Sequence, residues 1–208
     1  MTDCAATVYI VDDDPAVLRS LARLTRSAGL PAETFASARE FIARCQPDAP
    51  GCLVLDVSMP GISGLELQEW VSRASNPLPI IFITGHGDVP TSVRAMKAGA
   101  VDFLTKPVDD QELLTAVSAA LRRDQEARAA RAELASVRER LARLTPRERE
   151  VLEHVVSGRL NKQIAADLGT VEQTIKVHRA RVMRKMGVES LADLVRLAGR
   201  AGIRPPAP

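Results

Sequence analysis

Four apolar runs of this 208-residue chain lead into side chains that could do chemistry together. "VYIV" (8–11) precedes Asp12, Asp13 and Asp14; "CLVLD" (52–56) ends on Asp56; "PIIFIT" (79–84) ends on Thr84; Lys106 follows "VDFL" (101–104). Carboxylates crowded at a strand end repel one another and resist burial unless solvent or a cation compensates them. Clustered carboxylate oxygens suit a hard divalent cation, and Mg²⁺ commonly brings phosphate oxygens with it. Lys106 would supply a compact positive charge for a phosphoryl group, and Thr84 a hydrogen bond to it. Asp14, directly before Pro15, reads instead as a helix N-cap.

For these groups to meet, the runs must be neighbouring strands. A further run, "AETF" (32–35), brings the count to five, and each is followed by a helix signal. Asp14-Pro15 opens the first helix, Ser63 with Glu66 forms a capping box, Asp88 can cap the segment with Pro90, and Asp109 or Asp110 can open the last. Strand then helix, five times over, predicts an α/β doubly wound parallel sheet with helices on both faces. Ligands of such folds sit at the carboxyl ends of the strands, where Asp12, Asp13, Asp56, Thr84 and Lys106 fall.

Charge divides the chain. Residues 1–121 hold 9 Lys+Arg against 15 Asp+Glu, and residues 122–208 hold 19 against 11, so an acidic half is joined to a basic half suited to a polyanion. Apolar runs fall far short of the roughly 20 residues of a membrane span, which points to a soluble, cytoplasmic protein. Cys4, Cys45 and Cys52 are odd in number and widely spaced, against a disulfide framework or zinc site.

From 110 to 143 the sequence has neither Gly nor Pro, and Ala127, Ala130, Leu134, Val137, Leu141 and Leu144 recur at alternating spacings of three and four. That seam fits a linker helix pairing with its copy, and equally a helix packing on its own domain. "LTPREREVL" then places Thr145 as N-cap, Pro146 at the first helical position and Glu148 closing the box. "NKQIAADLG" and "TVEQTIKVHRARVMRKMG" are two helices separated at Gly169, the second ended by Gly187 and followed by a fourth from about Ser190. A short glycine turn before a helix carrying Lys176, Arg179, Arg181, Arg184 and Lys185 suggests a helix-turn-helix reader of the major groove. Its inward stripe reads Val171, Ile175, His178, Val182, Met186, and Thr170 with Gln173 offers a box that starts it. His178 reads as a packed residue and His86 as a loop residue.

The order "VDDD", "LDVSMPGISG", "TGHGD" and "DFLTKP" resembles the receiver domain of bacterial two-component response regulators. "LTPREREVL", "NKQIA" and "TIKVHRARVMRKM" resemble the LuxR/NarL-type DNA-binding domain, and the pair resembles the FixJ-like branch. The resemblance implies a flavodoxin-like receiver over 1–121, a helical linker over 122–143 and an all-α, four-helix DNA-binding domain over 144–208. It implies Asp56 as phosphoacceptor, a Mg²⁺ site of Asp12, Asp13, Asp56 and the Ser58 carbonyl, and Thr84, Phe103 and Lys106 as phosphoryl-binding and switch residues, with a cis Lys106-Pro107 bond. It also implies base contacts from Lys176, Val177 and Ala180, and phosphate contacts from Asn161, Lys162, Gln163, Thr174, Arg179 and Arg181. The implied partners are a sensor histidine kinase, double-stranded promoter DNA, RNA polymerase and a second copy on phosphorylation; the implied sign is activation. A metal-dependent phosphatase or phosphotransferase with Asp56 as nucleophile is the rival reading, but it would want an acid two residues beyond Asp56, where Ser58 stands. A phosphorylation-independent DNA-binding or scaffold protein is the other.

Overall fold

The computed structural model describes residues 6–45, 49–85 and 89–203. The expectations placed on Cys4, His86 and Asp88 lie outside them. The chain divides after Arg128 into two compact units.

In the first unit, short β-branched and apolar runs form β1 (Thr7–Val11), β2 (Ala32–Phe35), β3 (Gly51–Asp56), β4 (Ile80–Thr84) and β5 (Asp102–Thr105). They alternate with α1 (Pro15–Ser27), α2 (Ala38–Arg44), α3 (Gly64–Ser72) and α4 (Val89–Lys97), and α5 (Asp110–Ala142) begins after β5. The sheet is fully parallel in the order β2-β1-β3-β4-β5. Successive side chains of a strand face opposite ways, so β3 feeds two cores: Leu53 and Leu55 join Phe35, Phe41, Leu67 and Phe82, while Cys52 and Val54 join Ile10, Ile81, Leu21 and Val117. Full burial pushes the Cys52 thiol up to about 12, with the charge of Asp124 adding to the effect.

Helix starts follow the capping chemistry. The Asp14 carboxylate accepts from Ala16 N at 2.7 Å with Pro15 in the first turn, Ser63 and Glu66 close a reciprocal box, and Asp109 accepts from the Gln111 and Glu112 amides. The Lys106-Pro107 bond is cis.

Helix α5 runs unbroken through the span read as the linker, 122–143. Asp124, 3% exposed, accepts from Gly51 N at 3.0 Å and from Arg128 Nε at 2.6 Å, and Arg128 Nη2 donates to the Ala49 carbonyl at 2.7 Å. Thus α5 is fixed to the amino end of β3 beyond residue 121.

The second unit takes the end of α5 with α6 (Pro146–Val156), α7 (Asn161–Asp167), α8 (Glu172–Met186) and α9 (Leu191–Arg200). Val137, Leu141 and Leu144 are buried in its core with Leu152, Ile164, Ile175, Val182, Met186 and Leu194, whereas Ala130 is exposed. The carboxyl end of the heptad-like seam is therefore occupied by packing within this unit. Thr145 and Glu148 form the expected box. Gly169 and Gly187 end α7 and α8 in the left-handed conformation, with Thr170 N bonded to Ala165 O and Val188 N to Met183 O, the six-to-one bonds of a Schellman close.

Two local expectations are corrected. Thr170 does not cap α8: it is committed to closing α7, so the extended Val171 takes the N-cap position with no side-chain hydrogen bond, and α8 starts at Glu172. For the same reason Val171 lies outside the inward stripe and is 67% exposed, while Ile175, Val182 and Met186 are buried and His178 is half-buried.

Glu148 is buried beside Lys185, whose Nζ lies 2.6 Å from Oε2. The Lys185 hydrogen bond, helped by the Thr145 amide against the cost of burial, holds this carboxyl below its ordinary range. A folded pKa below the unfolded one contributes stability above the ordinary glutamate range, lost as pH falls through the folded value. Lys185→Met is expected to cost about 1–3 kcal/mol at neutral pH, by leaving a buried carboxylate under-partnered, and less as acid neutralises Glu148. Hydrogen exchange of the α6 amides across pH checks both.

Candidate functional site

Strand order reverses between β1 and β3, and the carboxyl ends of those strands hold the acids. Asp12 directly follows β1 and is fully buried; its Oδ1 accepts from Asp14 N at 2.8 Å and its Oδ2 from Lys106 Nζ at 2.7 Å. Asp56 ends β3 at 4% exposure, with Oδ1 3.3 Å from Lys106 Nζ. Asp13 is exposed beside them, and one carboxylate oxygen from each of Asp12, Asp13 and Asp56 lies within 4.8 Å of the others. Thr84 ends β4 at 1% exposure, and its carbonyl accepts from Lys106 N at 2.7 Å. Ser58 is exposed in the β3–α3 connection, and Phe103, half-buried on β5, lies 6.1 Å from the Phe82 ring. The sheet thus brings together groups up to 94 residues apart.

The electrostatics are unbalanced. Asp56 Oδ1 is buried without a hydrogen-bond partner, the Lys106 contact being an ion pair lacking hydrogen-bond geometry. Burial raises the Asp56 pKa; Lys106 opposes the rise, and Asp12 and Asp13 add to it. Burial alone would lower the Lys106 pKa, but its hydrogen bond to Asp12 and the charges of Asp56 and Asp12 together raise it. The ammonium is therefore held charged beside a carboxylate that is costly to ionise. Three converging carboxylates with an unpartnered buried oxygen fit a small dication.

Gly64 was not singled out from the sequence. A Cβ there would lie 2.3 Å from the Asp56 carbonyl oxygen, so α3 approaches the end of β3 more closely than any side chain permits. The signal was present in "PGISG", where only one of the two glycines is needed for a turn.

On the second unit, α8 presents Lys176, Val177, Ala180 and Arg181 as exposed residues, with Thr174 and Arg179 half-buried. Arg179 Nη1 donates to Asn161 Oδ1 at 3.2 Å, tying α8 to the start of α7. Lys162 and Gln163 are exposed on α7, and the Gln163 side chain reaches back to accept from Leu160 N at 2.9 Å. Apolar Leu160 and Val171 stand 68% and 67% exposed before the two helices. Glu172, passed over in the sequence, pairs with Lys176 at 3.1 Å.

Residues 8–118 match the model of the response regulator receiver domain, and residues 142–198 that of the bacterial regulatory proteins of the luxR family. The chain belongs to the response regulators that join a receiver to a LuxR-type DNA-binding domain, the FixJ- and TodT-like transcriptional regulators. It is 51% identical over 198 residues to nodulation protein W of Bradyrhizobium diazoefficiens, covering 95% of this chain and 87% of that protein. It is 48% identical over 200 residues to response regulator protein TodT of Pseudomonas putida, covering 96% and 88%. Among solved structures, response regulator StyR is similar at a TM-score of 0.86 and 48% identity, over 94% of this chain and 99% of that one. Full-length FixJ from B. japonicum gives 0.58 and 44%, over 95% and 97%. Among the described residues no helix is long and apolar enough to cross a membrane.

Proposed function

We propose that Asp56 accepts a phosphoryl group from a phosphohistidine of a sensor kinase, and that this modification controls binding of the second unit to promoter DNA. The observation that carries the reading is the buried Asp56 carboxylate, whose Oδ1 accepts no hydrogen bond and lies 3.3 Å from the Lys106 ammonium. One Asp56 oxygen attacks phosphorus, the phosphorus–nitrogen bond breaks, and the imidazole leaves with that electron pair. Asp12, Asp13 and Asp56, with the Ser58 carbonyl, would hold Mg²⁺, which when bound neutralises charge on the transferring group. Lys106 is poised to exchange its Asp12 and Asp56 contacts for phosphoryl oxygens, Thr84 to donate its hydroxyl, and Phe103 to turn toward the space the hydroxyl leaves.

The remaining steps extend the same reading. Helix α4 exposes Val89, Val93 and Met96, an apolar strip suited to pairing two phosphorylated copies. A dimer would set two α8 helices on two half-sites. Lys176, Val177 and Ala180 then face base edges, while Asn161, Lys162, Gln163, Thr174, Arg179 and Arg181 position the phosphates. The protein acts in the cytoplasm as an activator that recruits RNA polymerase, and its only chemistry is its own phosphorylation.

The test is the intact mass after incubation with acetyl phosphate or a phosphorylated sensor kinase, followed by size and duplex-DNA binding. A gain of one phosphoryl group that needs Mg²⁺, accompanied by a shift to a dimer with tighter DNA binding, is the expected result. No gain from either donor, with DNA binding unchanged, would move the assignment to a phosphorylation-independent regulator.

A further inference from the structure

Glu172 is out of place on a surface built for a polyanion. It is the first residue of α8, exposed, on the part of a recognition helix that ordinarily meets base edges. Its carboxylate would repel DNA phosphates, and the first-turn position offers only the modest gain of a negative charge at a helix N-terminus. Yet it is not isolated: Oε1 lies 3.1 Å from Nζ of Lys176, one turn along the same face, and both side chains are about half exposed at 47% and 54%. An exposed pair of this kind contributes little to stability and is free to exchange its partners.

The spacing of the pair has a counterpart in DNA. In the major groove a G·C pair offers the guanine O6 and N7 acceptors beside the cytosine N4 amino donor. N4 and O6 are hydrogen-bonded to each other across the pair, so they stand about 2.9 Å apart. Glu172 and Lys176 present the complementary order, one acceptor and one donor, at nearly the same separation. A carboxylate accepting from cytosine N4 and an ammonium donating to guanine are both favourable base contacts. Their mutual charge compensation offsets the phosphate repulsion that a lone glutamate would meet.

We propose that Glu172 and Lys176 act as a unit that reads a single G·C pair of the operator, Glu172 taking the cytosine amino group and Lys176 the guanine acceptors. The inference rests on the DNA reading of α8 and adds Glu172 as a specificity-determining residue. Ion pairing in the free protein keeps the two side chains adjacent at the start of α8. It also gives the one acid at the start of α8 a role among Lys176, Arg179, Arg181 and Arg184.

The test selects duplexes from a randomised library with the full chain treated with acetyl phosphate and Mg²⁺, comparing wild type, Glu172→Ala, Glu172→Gln and Lys176→Ala. Retention of α8 helicity in each variant is checked by circular dichroism. The expected result is a G·C preference in the wild-type selection that falls at least fivefold in all three variants, at the same base pair, with the other positions unchanged. If Glu172→Ala tightens binding evenly to all duplexes and leaves every base preference intact, Glu172 acts by charge alone and the proposal is overturned. Loss of preference at different positions for Glu172→Ala and Lys176→Ala overturns the single-pair reading. Failure of the wild type to retain any duplex removes the DNA reading of α8, and the inference falls with it.

Discussion

Asp56→Asn is expected to reduce phosphoryl incorporation by about 1000-fold or more, the scale of losing an attacking nucleophile, and at the same time to make the first unit more stable. Both effects come from the same burial. A carboxyl whose folded pKa is raised binds its proton more tightly in the native state than in the unfolded chain, so native stability falls as pH rises through that value. At neutral pH the ionised group, whose Oδ1 meets the Lys106 ammonium at 3.3 Å but accepts no hydrogen bond, disfavours the fold, and the neutral amide takes the charge out of that buried place. The gain is what remains after the Lys106 ion pair is lost, and it disappears at acid pH where Asp56 is protonated. Mg²⁺ should raise the unfolding midpoint of the wild type and leave Asp56→Asn much less affected. Intact mass and thermal unfolding with and without Mg²⁺ read the two effects separately; equal midpoints at neutral pH without metal would contradict the electrostatic account.

Arg179→Ala is expected to weaken binding to all duplexes by about tenfold and to lower the salt dependence by about one counterion, the signature of a lost phosphate contact. Arg179 differs from the freely exposed arginines in being half-buried and held by Asn161, so its guanidinium is pre-positioned. Asn161→Ala should therefore reproduce part of the loss without removing any charge. Anisotropy titrations at several salt concentrations measure the slope. A slope unchanged in Arg179→Ala would place the residue in packing between α7 and α8.

Much of the site was legible because its residues sit at strand ends, where local pattern and topology agree. An apolar run ending in Asp56, or "VYIV" ending in Asp12, is visible without knowing what it packs against, and the helix caps at Asp14, Ser63 and Thr145 are written in side-chain chemistry. What escaped depended on partners distant in sequence. Nothing local distinguishes Asp124 from the other charged residues of α5, since its role comes from Gly51 N, 73 residues away. Thr170 misled because two valid local signals overlap: it can open a box with Gln173, and it can close α7 after Gly169, and the backbone bond to Ala165 wins. The heptad-like seam left two covers open, because an apolar stripe records that a helix is covered without recording what covers it; for Val137, Leu141 and Leu144 the cover is the second of them, this unit's own core.

Cys52 turns the central strand into its own chemical clock. The thiol lies in β3 four residues before Asp56, has no exposed surface, and with its pKa at about 12 presents almost no thiolate at neutral pH. A thiol reagent can capture it only when β3 leaves the sheet, whereas half-buried Cys45 needs no such event. Peptide-resolved alkylation of the unmodified sequence thus times the opening of the strand that carries Asp56. Slower capture of Cys52 with Mg²⁺ is the expected result, because a cation held by Asp12, Asp13 and Asp56 would tie β1 to β3 and lengthen the interval between openings.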